Sequence, residues 1–131
     1  MKILLDTHFL VWLATLPDKI TKREFLALER RTEPLIVSAI SIWELRVKWH
    51  ANDPKRREKD SIAPDTALRF AVANDFAMAP LEPSDCILRV DPPLPHKDPF
   101  DEMLLVHADR LGAQLMTRDR KLLGHPLTVQ I

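Results

Sequence analysis

The stretch "HKDPFDEMLLVHADRLG", residues His96–Gly112, predicts a helix with an acidic first turn. Asp98 is a natural N-cap, Pro99 a natural first helical residue and Gly112 a natural terminator. The apolar stripe of this helix, continued one turn toward the N-terminus, reaches Asp101, so a carboxylate is aligned with the face that should be buried. The stripe consists of Leu104, Ala108 and Leu111.

The segments around this helix alternate as in an α/β domain with a mostly parallel sheet. Buried strands are expected over 2–6, 34–38 and 113–119, each ending at or near a polar residue, and weaker strands over 77–81 and 127–131. Helices are expected over 7–16, stopped by Pro17; over 22–31, with Thr21 as N-cap; over 39–50; over 65–76; and over 83–91, with Ser84 as N-cap. We interpret residues 51–65, which include the basic cluster 54–60, as a protruding connection.

Length and composition indicate one globular domain over residues 1–131, with 46% hydrophobic and 29% charged residues. The longest apolar run is too short to cross a bilayer and no secretory pattern is present, so we expect a cytoplasmic protein without a membrane partner. With 19 basic and 19 acidic residues, the chain does not bind nucleic acid by bulk positive charge. Cys86 is the only cysteine, which excludes an internal disulfide and a cysteine zinc site, and we expect it in the core. Two glycines leave no room for a phosphate-binding glycine loop or a nucleophile elbow.

Four acids share a predicted position at the carboxyl edge of the sheet, where ligands collect in open parallel sheets. Asp6 ends the first strand, Asp119 follows a later one, and Glu44 and Asp101 lie early in helices that start at this edge. Their mutual repulsion would be costly without a cation. Mg²⁺ and Mn²⁺ prefer such oxygen ligands and would let the pocket accept a phosphodiester and activate a water for attack on it.

Each acid also has a purely structural interpretation. Asp6 and Asp98 could simply cap helices, and Asp101 could favour the positive helix end from an exposed position. Glu44 could lie on a solvated helix face, and Asp119 in a turn or an ion pair. The joint pattern is stronger than any one member.

The segments "MKILLDTHFLVWL", "SAISIWEL" and "HKDPFDEMLLVHADRLGAQLMTRD" resemble PIN-domain proteins, specifically the VapC-type toxin ribonucleases of bacterial type II toxin-antitoxin pairs. The resemblance spans essentially the whole chain. It implies a three-layer α/β/α sandwich and cleavage of RNA, often tRNA, by an endoribonuclease that depends on Mg²⁺ or Mn²⁺. It also implies a small antitoxin partner that can place an arginine among the acids, and a homodimer.

Carried over residue by residue, the resemblance places the four family acids on Asp6, Glu44, Asp101 and Asp119 as catalytic and metal-binding residues. Asp98 remains a secondary candidate for the third position. Thr7 and Thr117 match hydroxyl residues that would orient the ligating carboxylates or water. Glu102 departs from the family pattern, in which arginine is common, and this puts RNA affinity on that side in doubt.

On this interpretation Asp6 and Asp101 bind the principal ion, Asp119 binds it directly or through water, and Glu44 holds a second ion or accepts a proton from the attacking water. Candidate RNA contacts are Arg46, Lys48, Arg118 and Lys121 for the backbone and Trp43, Trp49 and His96 for stacking, with core packing favoured for the tryptophans. Two alternatives stay open: a non-catalytic PIN-like protein-binding module, and a receiver-like metal-dependent phosphotransfer domain.

Overall fold

Four parallel strands form the centre of the structure, a computed structural model that describes residues 1–51 and 61–131. They are β1 (Lys2–Leu5), β2 (Ile36–Ser38), β3 (Ala77–Ala79) and β4 (Ala113–Met116), in the spatial order β3-β2-β1-β4. β1 is central: Leu4 pairs with Ile36 of β2, and Leu5 pairs with Met116 of β4. All pairings in the sheet are parallel, so its carboxyl ends lie along one edge.

The helices connect these strands and cover the sheet. The five α-helices of the described residues are α1 (Thr7–Thr15), α2 (Lys22–Glu29), α3 (Ala39–Ala51), α4 (Pro64–Ala73) and α5 (Pro99–Leu111). Thr21 caps α2 in a capping box with Glu24, as the predicted N-cap requires. Gly112 ends α5 in the left-handed region at φ 64°, where a residue with a Cβ is strained.

Hydrophobic layers lie on both faces of the sheet, because alternate residues of β1 point to opposite sides. Ile3 and Leu5 join the cluster built with α1, α2 and α4, whereas Leu4 joins the cluster built with α5. The three-layer α/β/α class expected from the sequence is therefore confirmed. None of the helices described is long and apolar enough to span a membrane.

The segment 83–91 differs from its prediction. It forms a short 3-10 helix, Pro83–Ile87, whose first turn is closed by Asp85 accepting a hydrogen bond from the Glu82 amide at 2.8 Å, so Ser84 is not the cap. Asp85 is fully buried, and drawing it inward turns the next residues outward. Cys86 is consequently exposed rather than in the core.

The segment 127–131 forms no full strand. It makes a single parallel bridge between Thr128 and Leu115, beside β4. The turn before it is fixed by His125, whose carbonyl accepts hydrogen bonds from the amide and hydroxyl of Thr128, which limits how far the segment can extend along the sheet. Of the connection expected at 51–65, residues 52–60, with the basic cluster 54–60, lie outside the described residues.

The strand order places a crevice between β1 and β4. The chain moves from β1 through β2 to β3 on one side and then returns to β4 on the other. Ligand sites of open α/β sheets lie at such a reversal, outside the carboxyl ends of the strands. Asp6 follows β1 directly and Thr117 follows β4 directly.

Candidate active site

Contacts with β4, with the residue that follows β4 and with α1 hold Asp6 in place at the end of β1. Its amide donates to the Met116 carbonyl at 3.0 Å, which extends the pairing of β1 with β4 by one residue. One carboxylate oxygen, Oδ1, caps α1 by accepting from the Phe9 amide at 2.8 Å, and the other, Oδ2, accepts from the Thr117 hydroxyl at 2.7 Å. Asp6 is therefore both a helix cap and a component of the sheet edge, and the two interpretations of this residue do not exclude each other.

The surroundings of Asp6 are unfavourable for its negative charge. Burial raises the pKa of this carboxyl to about 6, and the charge of Glu44 adds to the rise, although hydrogen bonds from Phe9 and Thr117 and the charge of His8 oppose it. Thr7, the residue after Asp6, contacts the Glu44 carboxylate at 2.8 Å, so α3 brings a second acid close to Asp6.

Glu44 is held by the start of α1 and by its own helix. It is buried, its Oε1 accepts from the Thr7 hydroxyl at 2.8 Å, and that hydroxyl also lies 3.0 Å from Ser41 Oγ. Its Oε2 lies 2.6 Å from Lys48 Nζ, one helical turn later. Thr7 thus fixes the orientation of the Glu44 carboxylate.

Asp101 lies in the first turn of α5 and is partly buried. Its Oδ2 lies 3.1 Å from His96 Nε2, a ring whose Nδ1 is buried without a hydrogen-bond partner. Burial raises the pKa of Asp101; the His96 hydrogen bond and charge oppose this, while the charges of Asp98 and Asp119 raise it further. Asp98 itself caps α5, its Oδ1 accepting from the Phe100 and Asp101 amides at 2.9 and 3.1 Å.

Asp119 lies three residues beyond β4 and is partly buried. Its amide donates to Thr117 Oγ1 at 3.1 Å, and its Oδ1 accepts from the Lys121 amide at 2.9 Å. Thr117 therefore connects two acids, because its hydroxyl donates to Asp6 and accepts from the Asp119 backbone.

The acids thus form two electrostatic groups at one edge: Asp6 with Glu44, and Asp101 with Asp98 and Asp119. Within residues 1–51 and 61–131, no three His, Cys, Asp or Glu side chains are arranged as a group that could hold a metal ion. Mg²⁺, however, is usually held by one or two carboxylates and completes its shell with waters and substrate phosphates. Carboxylate pairs whose charges repel fit such an ion in donor chemistry and in number.

Arg118 has a role that the sequence analysis missed. Its guanidinium makes two hydrogen bonds to the buried Glu24 carboxylate, at 2.6 and 2.9 Å, and a third to the Lys19 carbonyl at 2.6 Å. It also stacks 4.3 Å from the centre of the Trp12 ring. The Thr21-x-x-Glu24 spacing could have predicted a capping box and hence an inward-facing Glu24, but not its partner 94 residues away.

The other candidate RNA contacts are dispersed. Arg46 packs 4.7 Å from the centre of the Trp43 ring on the outer face of α3, and Trp43 is 48% exposed, so the expectation of core packing is wrong for it. Trp49 is partly buried, and Lys121 is exposed. His96 contacts Asp101 instead of standing free for stacking.

The family profile of the PIN domain matches residues 3–124 of the chain. The chain belongs to the PIN domain family. No curated protein sequence matches it. Among solved structures, this PIN domain is similar to a chain in the crystal structure of VapBC2 from Rickettsia felis bound to a DNA fragment from their promoter. The TM-score is 0.60 at 15% identity, over 98% of this chain and 96% of that one. At that identity the similarity establishes the fold, and the two proteins share it over nearly their whole lengths.

Proposed function

We propose that this PIN domain is a Mg²⁺- or Mn²⁺-dependent endoribonuclease and the toxin of a toxin-antitoxin pair. PIN domains are generally nucleases, and the observation that carries the proposal is the pair of acid groups at the β1–β4 crevice. Burial and the charge of Glu44 raise the pKa of Asp6 to about 6. Burial also raises the pKa of Asp101, and the charges of Asp98 and Asp119 add to that rise. Carboxylates in this arrangement are costly for the fold and are typical of functional sites.

Each side chain of the acidic site has a separate role in the proposed reaction. Asp6 and Asp101, one from each group, would hold the principal ion, and Asp119 would contribute directly or through water. Thr117 and Thr7 would keep the Asp6 and Glu44 carboxylates oriented through their hydrogen bonds. The ion, when bound, supplies charge neutralisation at the scissile phosphate and lowers the pKa of a water. Glu44 would either hold a second ion or accept the proton of the attacking water, whose oxygen bonds to phosphorus as the bond from phosphorus to the 3′-oxygen breaks. The 3′-oxygen leaves with the electron pair of that bond and takes a proton from solvent. The products are a 5′-phosphate and a 3′-hydroxyl.

The substrate and partners follow from the family. We propose RNA, including tRNA, as the substrate, with Lys121 and Arg46 contacting the backbone. The similar Rickettsia felis structure is of a toxin-antitoxin complex, which supports a small antitoxin as partner. An antitoxin arginine reaching the acids, a homodimer and a cytoplasmic location complete the proposal.

The decisive experiment incubates the antitoxin-free protein with total RNA in the presence of Mn²⁺, of Mg²⁺, or of a chelator. We expect cleavage with either metal and none with the chelator. The Asp6→Asn and Asp101→Asn variants should reduce cleavage by about a hundredfold or more, because each removes a negative ligand. Asp109→Asn, an exposed acid of the same helix as Asp101, is the matched control and should cleave as the parent does.

Cleavage that survives the chelator, or parental rates in both acid variants, would refute the proposal. The alternative of a protein-binding module predicts a different pattern, in which the protein binds Mn²⁺ and an antitoxin but never cuts RNA. The receiver-like alternative predicts a covalent aspartyl phosphate, and the match to the PIN profile favours the nuclease over it.

A further inference from the structure

Three buried side chains that the proposed reaction does not use are joined by hydrogen bonds into a row, which we call the polar chain. Ser38, His107 and Asp85 are each fully buried. Ser38 Oγ lies 2.7 Å from His107 Nδ1, and His107 Nε2 lies 3.0 Å from Asp85 Oδ2. Arg110 closes the chain toward solvent with an ion pair to Asp85 Oδ1 and a hydrogen bond to the Pro80 carbonyl at 3.1 Å.

The hydrogen-bond directions in this chain are mutually consistent. Burial raises the pKa of Asp85, but hydrogen bonds from the Glu82 amide and His107, together with the charge of Arg110, outweigh it and hold the pKa below its ordinary value, so Asp85 is the acceptor. His107 then donates from Nε2, and its Nδ1 accepts from the Ser38 hydroxyl. Ser38 Oγ in turn accepts from the Ile40 amide at 3.0 Å, at the start of α3. In this arrangement each hydrogen bond has one donor and one acceptor, and Asp85 Oδ1, which accepts no hydrogen bond, is ion-paired with Arg110.

Neither packing nor surface chemistry accounts for this chain. Buried ionic groups of this kind contribute little net stability compared with apolar residues of similar volume. No substrate can reach Ser38 or His107, because neither exposes any surface. The effect of the chain is therefore on the elements that it joins.

Those elements carry two of the four acids. Ser38 ends β2 and leads into α3, which holds Glu44, and His107 lies in α5, which holds Asp101. Glu44 follows Ser38 by six residues and Asp101 precedes His107 by six, so each acid lies within about two helical turns of the contact. α3 also packs against α5. A fixed contact between Ser38 and His107 thus fixes how the two acid-bearing helices lie relative to each other.

We infer that His107 is a positioning residue, which through Ser38 and Asp85 sets α5 against α3 and thereby sets the affinity of the acidic site for a divalent cation. The inference rests on the proposed function only for the existence of that cation site. It requires no RNA substrate, so it is tested by binding alone.

The experiment measures Mn²⁺ binding to the purified full chain by electron paramagnetic resonance of the free ion, with thermal unfolding measured in parallel. His107→Leu removes both hydrogen bonds at similar volume and should weaken Mn²⁺ binding by about tenfold. This is the lower end of the loss caused by removing a direct partner of a metal ligand, because His107 acts on the ligands only through α3 and α5. His107→Gln keeps a donor toward Asp85 and should recover part of that loss. Ser38→Ala removes only the hydroxyl and should weaken binding in the same direction.

His125→Leu is the matched control. His125 is also buried, with its ring within 2.8 Å of the Pro92 carbonyl and 3.1 Å of the Leu127 amide, but none of these contacts involves an acid-bearing helix. It should lower the unfolding temperature and leave Mn²⁺ affinity unchanged. Parental affinity in folded His107→Leu and Ser38→Ala overturns the inference, and if His107→Leu does not fold, Ser38→Ala decides it.

Failure of the proposed site has a different signature. If the parent does not bind Mn²⁺, or if Asp6→Asn binds it as tightly as the parent, the acidic site itself is wrong and the inference falls with it. If Asp6→Asn abolishes binding while the Ser38 and His107 variants bind normally, the site stands and only the positioning role fails.

Discussion

Asp6 shows how one side chain can serve both fold and function. Its two oxygens are used by the Phe9 amide and the Thr117 hydroxyl, yet it lies where its charge is destabilised by burial and by Glu44. The folded protein therefore holds an ionised carboxylate at a cost that a cation would relieve. This balance of contacts leads to a measurable pH dependence of stability.

For Asp6→Asn, we expect a stability gain that depends on pH. Because the folded-state pKa of about 6 lies above the ordinary 3.8, the stability associated with protonated Asp6 is complete below about pH 4 and is lost as pH rises through about 6. The parent should therefore lose up to about 3 kcal/mol relative to Asp6→Asn across that range. Urea unfolding in chelator at a series of pH values measures this, with the exposed Asp109→Asn as control. A difference that stays flat with pH would contradict it.

His96 is the second residue whose contacts change its expected role. Its Nε2 contact with Asp101 Oδ2 indicates that it orients a carboxylate instead of stacking on a base. His96→Phe keeps the ring and removes the hydrogen bond, so we expect kcat for RNA cleavage to fall by about tenfold while KM changes little. Unchanged kcat and KM would contradict the orienting role, because phenylalanine removes the hydrogen bond but still offers a ring for stacking on a base.

The sequence predicts the position of an acid in the fold well where the spacing along one strand or helix fixes that position. An acid that ends a buried strand, as Asp6 does, must lie at the sheet edge, and the helical spacing that aims Asp101 along the core face is local. The contact of Arg118 with Glu24 depends on how α2 docks against the end of β4, 94 residues away in sequence. Nothing in the local pattern around either residue distinguishes that pair from two solvated charges.

At the start of α5, the two neighbouring acids Asp98 and Asp101 have different contacts. Asp98 accepts from two backbone amides and is exposed, whereas Asp101 points toward His96. This geometry supports the assignment of Asp98 as the cap and of Asp101 as the ligand candidate.

Asp98→Ser should therefore leave both stability and cleavage near parental values, because serine is an equivalent cap. Asp98→Ala should lower the free energy of unfolding by about 1 kcal/mol, the usual cost of a lost N-cap. Thr21→Ala, which removes the corresponding cap of α2, is the control for a cap distant from α5. Loss of cleavage in Asp98→Ser, at unchanged stability, would make Asp98 a ligand in its own right.

The helix predicted over 83–91 does not form, because a contact with another element organises the segment. The sequence predicts a helix with Ser84 as N-cap, but the segment is organised by Asp85. The carboxylate of Asp85 turns inward to meet His107 and Arg110 on α5, and no helical periodicity in the segment encodes that contact. The strands β1, β2 and β4 lie within the ranges predicted from apolar runs, but each is shorter than predicted, and β4 ends at Met116 instead of Asp119.

At the scale of the whole molecule, two hydrophobic layers share one sheet. Leu4 faces one layer and its neighbours Ile3 and Leu5 face the other, so only the sheet itself separates the two layers. We predict that the layers unfold together as one domain over residues 1–131.

Leu105→Ala tests this prediction. Leu105 is fully buried in the layer formed with α5, and its truncation should cost about 2–5 kcal/mol. The three tryptophans lie in α1 and α3, away from Leu105 in sequence, so tryptophan fluorescence and far-UV circular dichroism should shift to the same midpoint. Leu26→Ala, at a leucine that is 59% exposed, is the control and should change little. Separate midpoints would mean two units.

The central position of β1 also constrains how a cell can make this protein. Asp6 and Thr117 are 111 residues apart, and until residues 113–116 leave the ribosome, β1 has a neighbour on one side only. A nascent or prematurely terminated chain that stops at Gly112 carries Asp6, Glu44 and Asp101 but lacks both the strand and the hydroxyl that complete the crevice. The protein therefore gains its complete acidic edge only when β4 is made, late in translation.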